Sequence, residues 1–543
     1  MAPHSPSHSE EQRHLLQLRR ILMEEEEDHA YGDHPALLHV QQPFAQILSS
    51  SSTSTSTSLL PEDNNGVVSA NLLVNTDDYN PDMFRAAFFK GMDDAGKFLP
   101  TPPKEKAARG HGVEDELDVC RAPTKVAAVE ADTNEMLDQM MLHGFAIPME
   151  EKASMNKCNK NKEAEAVDLH TLLLHCAKAV VDERRSAAEL LEQIRQHASP
   201  TGDAVQRLGH CFAKGLEARL SGTGIHAYRS LAATRTSTAD FLKAYQLFMS
   251  TCCFRKVAFT FANKAIFNAA AGRSRLHIVD YGLHHGFQWP ELLQWLGERE
   301  GGPPVVRITH IDLPQSGFRP AKHMEEMGTR LSRCAHQFGV PFEFRLIVAP
   351  QWQSVCVDDI NMEPDEVLTV NDLFNFRTLM DESVVIDSKS PRDIVLSNIA
   401  KMRPDVFVHG TVNGSHGITF LSRFREALFY HSAMFDMLDA TMPRESQLRL
   451  VLEQDILGWV ALNAIACEGE DRVERGETYK QWQVRNQRAG LRQLPLNRET
   501  LVMVTNMVKK HYHKDFVIEE DQQWLLQGWK GRILFAHSTW VAK

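Results

Sequence analysis

Apolar and polar positions along this chain fall into regimes of different period. From Asp168 onward, "DLHTLLLHCAKAVV" sets Leu169, Leu173, Cys176 and Val180 at helical spacing behind Asp168 as an N-cap, and "SAAELLEQIRQHAS" continues in the same style. With "AVQRLGHCFAKGLEARL" and "STADFLKAYQLFMSTC" these stretches predict a helical block ahead of any strand. Their stripes are those of a packed core and lack the unbroken heptads of a coiled-coil seam. The period then changes. "RLHIVDY", "PVVRITHID", "PFEFRLIV", "DEVLTVN" and "PDVFVHGTVN" read as strands, with "PELLQWLGERE" and "AKHMEEMGTRLSRCAHQF", the latter closed by Gly339, as helices between them. Such alternation predicts βαβ units and a mostly parallel sheet covered on both faces. "KDFVIEE", "QWLLQG" and "GRILFAHSTW" are short strands close in sequence, suited to antiparallel additions at one edge.

Residues 1–165 show neither period. They hold "MEEEEDHA", "SSSSTSTSTS" and scattered Pro, while all eight Trp lie at or beyond Trp289, so this stretch is expected to be largely disordered. Within it, at about 77–100, Phe84, Phe88 and Met92 recur every four residues and Phe98 follows, flanked by Asp77, Asp78, Asp93 and Asp94. Apolar anchors kept in solution by acids suit docking into a partner's groove, the alternative being a helix that folds back on the domain. "NEMLDQMMLHGF" is a weaker second instance.

A net charge of -12 argues against wrapping duplex DNA over the whole surface. Nine Cys without a CxxC pair read as reduced thiols, and so as an intracellular protein. Neither a signal peptide nor a membrane span is indicated.

Candidate chemistry begins where the first strand ends. Asp280, Gly282 and Gly286, with Asp312 closing the next strand, resemble the binding signature of S-adenosylmethionine-dependent methyltransferases, but His284 stands where those enzymes need a second bare backbone position. With His285 it would crowd the turn, and the pair lacks metal-ligand spacing. For DNA the candidate surface is Lys480, Arg485, Arg488, Arg492 and Arg498; if "YKQWQVRNQRAGLRQ" is helical, the middle three share one side. The competing reading is arginines paired with nearby acids. Arg472 and Arg475, set among Glu468, Glu470, Asp471, Glu474 and Glu477, are expected to form structural ion pairs. Trp529 and Trp540 are either interface anchors or buried scaffold.

These motifs, in this order, resemble the plant GRAS family. "LHIVDYGLHHGFQWPELLQWL" is similar to its VHIID motif, with His277, Ile278, Val279 and Asp280 at the core and Tyr281 where Phe is usual. The helical segments on either side resemble its two leucine-rich regions; Pro404, Phe429, Tyr430, Arg444 and Glu445 stand at its PFYRE elements, and "WLLQGWKGRILFAHSTW" at its SAW region. "FFKGMDDAGKFLP" resembles the acidic N-terminal motif of the lily SCARECROW-like branch. The resemblance implies a domain over 166–543, with a helical cap at about 168–255 and a methyltransferase-like Rossmann core at about 256–543. It also implies nuclear localisation, transcriptional activation or coactivation through other transcription factors and coactivators, and dimerisation through the folded domain. Direct DNA contact is less uniform in that family. No cofactor is expected; a methyltransferase-like enzyme or a small-ligand-binding regulator is the alternative.

Overall fold

The structure, a computed structural model, describes residues 133–141 and 168–543 apart from 234–236, 283–284, 315–320, 383–388 and 418. Its centre is a nine-stranded sheet. The strands are β1 (Arg275–Tyr281), β2 (Val305–Asp312), β3 (Phe342–Val348), β4 (Val367–Leu373), β5 (Val406–Val412), β6 (Leu491–Gln493), β7 (Phe516–Asp521), β8 (Trp524–Trp529) and β9 (Arg532–Ala542). They run in the order β3-β2-β1-β4-β5-β9-β8-β7, with β6 also pairing β9. The first five are mutually parallel. β9 lies antiparallel to β5, and β7 and β8 extend that edge as an antiparallel meander. The order 3-2-1-4-5 reverses between β1 and β4, which makes this a doubly wound Rossmann-like core, with the parallel half that the strand and helix alternation predicts and the core type that the family resemblance implies.

Each face of the sheet carries its own core. Leu276, Ile278, Val306 and Ile308 join the larger apolar cluster, which runs on into the helical cap, whereas Val279, Tyr281, Ile311, Val370, Phe407, Trp482 and Trp540 lie in the other. Successive residues of a strand point to opposite faces, so this division follows from the pleat.

The cap opens with helix Leu169–Asp182, whose N-cap Asp168 accepts from the backbone N–H groups of His170 and Thr171 at 3.1 and 3.2 Å. Helix Ala204–Leu220 starts in a capping box between Asp203 and Gln206. The cap also recruits the C-terminal half of the chain. Helices Phe420–Thr441 and Gly458–Ala466 pack on Ala204–Leu220, and a buried trio locks them together: Glu453 pairs with Arg207 and Arg449, each at 2.6 Å. Between these helices Leu452–Leu457 makes a π-helical turn.

Inside the stretch read as largely disordered, 133–141 is a helix that buries Leu137, Met140 and Met141 against the main core. Its Asp138 pairs with Arg330 at 3.3 Å and Arg333 at 3.1 Å. Phe84, Phe88, Met92 and Phe98 lie outside the described residues.

Candidate functional site at the carboxyl ends of the strands

Two of the candidate side chains, Asp280 and Asp312, converge where β1 and β2 end, and a third residue without a motif of its own, His310, holds them. Asp280 is the register partner of His310 on β2 and of Asn371 on β4. Asp312 follows His310 by two positions and therefore shares its face. His310 accordingly sits between two carboxylates, Nδ1 at 3.1 Å from Asp280 Oδ2 and Nε2 at 3.5 Å from Asp312 Oδ2. Burial alone would depress this imidazole, but hydrogen bonds to both acids and their charges raise it to about 9. At neutral pH the cluster is an imidazolium clamped by two carboxylates.

The remaining carboxylate oxygens are also taken. Asn371 Nδ2 donates to Asp280 Oδ1 at 2.8 Å, and the Leu313 backbone N–H donates to Asp312 Oδ1 at 2.6 Å. Asn371 also donates to Gln288 Oε1 at 3.1 Å, and Gln288 donates to Asn263 Oδ1 at 3.2 Å, which ties the clamp to helices Trp289–Gly297 and Phe254–Ala269. Each oxygen of both acids thus has a partner inside the protein, and both residues are buried. That set does not fit the ribose- and adenosyl-holding role that the methyltransferase signature implies.

Both glycines have local explanations. A Cβ on Gly282 would stand 2.9 Å from Asp280 Oδ2 and 3.2 Å from His310 Cε1, so the missing side chain makes room for the clamp. Gly286, at φ 78°, would set a Cβ 3.0 Å from Met327 Cγ and 3.2 Å from Met141 Cε. It lets helices 133–141 and Lys322–Gln337 close over the turn. His285 lies beside them, its Nδ1 3.0 Å from His323 Nε2; burial, then the His323 and Arg330 charges, lower it to about 4. His284 lies outside the described residues.

His277 does not join this group. It points to the opposite face, with Nε2 2.8 Å from Thr309 Oγ1 and Nδ1 3.3 Å from Glu366. Burial, followed by the Arg307 charge, brings it down to about 4.

The arginine stripe needs correction. Helix Tyr479–Arg488 ends at Arg488, Gly490 turns the chain at φ 91°, and Arg492 belongs to β6, so the three arginines share no helical side. Arg485 is consumed by acids: Glu477 Oε2 at 2.7 Å, Glu382 Oε1 at 2.8 Å and Asp393 Oδ1 at 2.8 Å. Burial opposes its charge, but the bonds to Glu477 and Glu382 raise its pKa. Arg488 and Arg492 are exposed, Arg498 pairs with Glu520 at 2.9 Å, and Lys480 stands 3.9 Å from Asp521. Arg475 and Arg472 do form buried ion pairs, though with the distant Asp381, at 2.7 and 3.8 Å. Trp529 and Trp540 are buried scaffold, their Nε1 atoms donating to Asp436 and Ser538.

His310 carries no motif signal of its own. The available hint is alternation in "RITHID", which places His310 and Asp312 on one face; the register that brings Asp280 beside them is tertiary information.

The chain is similar to known proteins over most of its described length. Scarecrow-like protein 14 of Arabidopsis thaliana is 47% identical over 402 residues, 74% of this chain and 52% of that protein, so the chain spans about half the length of this relative. Scarecrow-like protein 33 of the same plant is 41% identical over 495 residues, covering 84% of this chain and 71% of its own. The crystal structure of SCL7 in Oryza sativa superposes with a TM-score of 0.60 at 29% identity, over 69% of this chain and 99% of that one. Residues 169–541, from the first cap helix to the last strand, match the GRAS domain family, and the chain belongs to that family.

Proposed function

We propose that this protein is a nuclear transcriptional regulator without catalytic turnover, which presents its folded domain to other transcription factors and coactivators, pairs through that domain, and activates through its acidic N-terminal region. The observation that carries the reading is the clamp of His310 on Asp280 and Asp312. In a methyl-transferring enzyme those acids would face the cofactor; here their oxygens are spent on an internal ion cluster, which favours a scaffold for recognition. DNA is reached mainly through partners, because Arg485 faces three carboxylates and only scattered cations remain at that edge.

The test is to tether the full chain to a heterologous DNA-binding domain at a reporter promoter. Reporter output rises, and falls back when Phe84→Ala and Phe88→Ala are combined. An unresponsive reporter refutes the activator reading, and consumption of S-adenosylmethionine by the purified chain refutes the non-enzymatic one.

A further inference from the structure

Helix 133–141 lies outside the family domain of residues 169–541, yet it is seated on helix Lys322–Gln337 beside the turn that follows β1. It is amphipathic. Leu137, Met140 and Met141 are buried and Met136 packs against the same core, while Glu135 and Gln139 face outward. Beneath it the domain supplies Met327, which flanks Gly286 together with Met141. Two cations stand at the rim: Asp138 pairs with the buried Arg330 and the exposed Arg333, and Asn134 accepts a further bond from Arg330. Arg330 has Glu326 of its own helix only at 3.9 Å, so its close carboxylate is the one that the short helix brings.

This contact has the physics of an exchangeable one. Nine residues are too few to hold a helix in water, so the order of this one is lent by the surface beneath it. Its anchors are mostly methionines meeting Met327, and flexible thioethers adapt to differently shaped partners. The occupant also shows what the groove selects: apolar side chains at i, i+3 and i+4, with an acid placed between them for Arg330 and Arg333.

We propose that helix 133–141 is a displaceable strap, and that the groove it fills on Lys322–Gln337 docks an acidic amphipathic helix of a partner protein in its place. This docking rests on the recognition reading above for the existence of a partner, and gives that partner a chemistry. The test uses the full chain, with a fluorescein-labelled peptide of residues 130–145 standing in for the partner helix. Leu137→Asp with Met141→Asp vacates the groove in cis. The vacated chain is expected to bind the peptide saturably in fluorescence anisotropy, at least about tenfold more tightly than the parent, whose strap competes. Arg330→Met in the vacated chain weakens binding about tenfold or more; Arg333→Glu, at an exposed position, weakens it about twofold to fivefold. Hydrogen exchange on the unaltered parent gives a second measurement that needs no variant to fold: amides of 137–141 exchange at least about tenfold faster than those of 331–335.

A strap that opens only together with the domain overturns the proposal. So does a vacated chain that melts cooperatively like the parent and binds no peptide, or binds equally a peptide carrying Asp138→Lys. Parent dimers that the two Asp substitutions dissolve would assign the groove to a second copy, and overturn it likewise. Peptide binding beside a silent tethered reporter sinks the activator reading alone; a responsive reporter without peptide binding sinks the docking alone.

Discussion

Replacing His310 by Gln tests the clamp most directly, because glutamine keeps a hydrogen-bond donor but removes the charge. The histidine is raised from its ordinary 6.5 to about 9, and this gap of about 2.5 pH units, at ~1.36 kcal/mol each, makes the charged clamp worth about 3 kcal/mol. A folded-state pKa above the unfolded one means that this stability is fully present below pH 6.5 and is lost as pH rises through about 9. The neighbouring His285 and His323 are both lowered by burial, so neither titrates in that window. His310→Gln is therefore expected to lose about 3–5 kcal/mol at pH 6, the cost of leaving buried carboxylates without their cation. The difference from wild type shrinks by about 3 kcal/mol by pH 10. Urea denaturation of both proteins at pH 6, 8 and 10 measures this. Adding Asp280→Asn and Asp312→Asn removes the stranded charges and recovers much of the loss. A difference that stays constant from pH 6 to 10 would refute the ionic account of the clamp.

Gly282→Ala should cost about 1–3 kcal/mol by thermal melting, since the new methyl meets Asp280 Oδ2 at 2.9 Å. Glu453→Gln leaves the buried Arg207 without its carboxylate and Arg449 with Asp439 alone, at 3.0 Å, and is expected to destabilise by about 3–5 kcal/mol in urea, whereas an effect below 1 kcal/mol would show the trio to be incidental. Arg485→Ala should lower the melting temperature clearly, while Arg488→Ala with Arg492→Ala should stay within about 0.5 kcal/mol of wild type, as exposed positions do. If this edge touches DNA at all, mobility shifts will respond to the second pair of changes without loss of fold.

Local pattern was enough for most of the elements of the sheet and cap, though not for the break after Arg488 or the helix at 133–141. Alternating strands and helices predict the parallel half of the sheet, Asp168 its cap, and "KDFVIEE" with its neighbours the antiparallel edge. Asp280 and Asp312 stand out because strand ends are where such sheets bind ligands. What local pattern cannot supply is pairing between distant residues. His310 looks like any strand residue until β1 and β2 are placed in register. Arg485 looks available to phosphate until Glu382 and Asp393, far away in sequence, are brought beside it. The helix at 133–141 is short and surrounded by polar sequence, and its burial depends on a surface that does not exist until Met327 and Arg330 are in place.

The divided cap has a consequence for synthesis in the cell. Arg207 and Glu453, which close it, are 246 positions apart. While the ribosome is still making the sheet, the leucine-rich helices from Leu169 to Thr251 have already emerged, and the apolar faces that Leu169–Asp182, Ala204–Leu220 and Thr238–Thr251 turn toward Phe420–Ala466 are still bare. Such a nascent chain is a natural client for chaperones. A message truncated before codon 420 would yield an aggregating fragment in place of a smaller working protein.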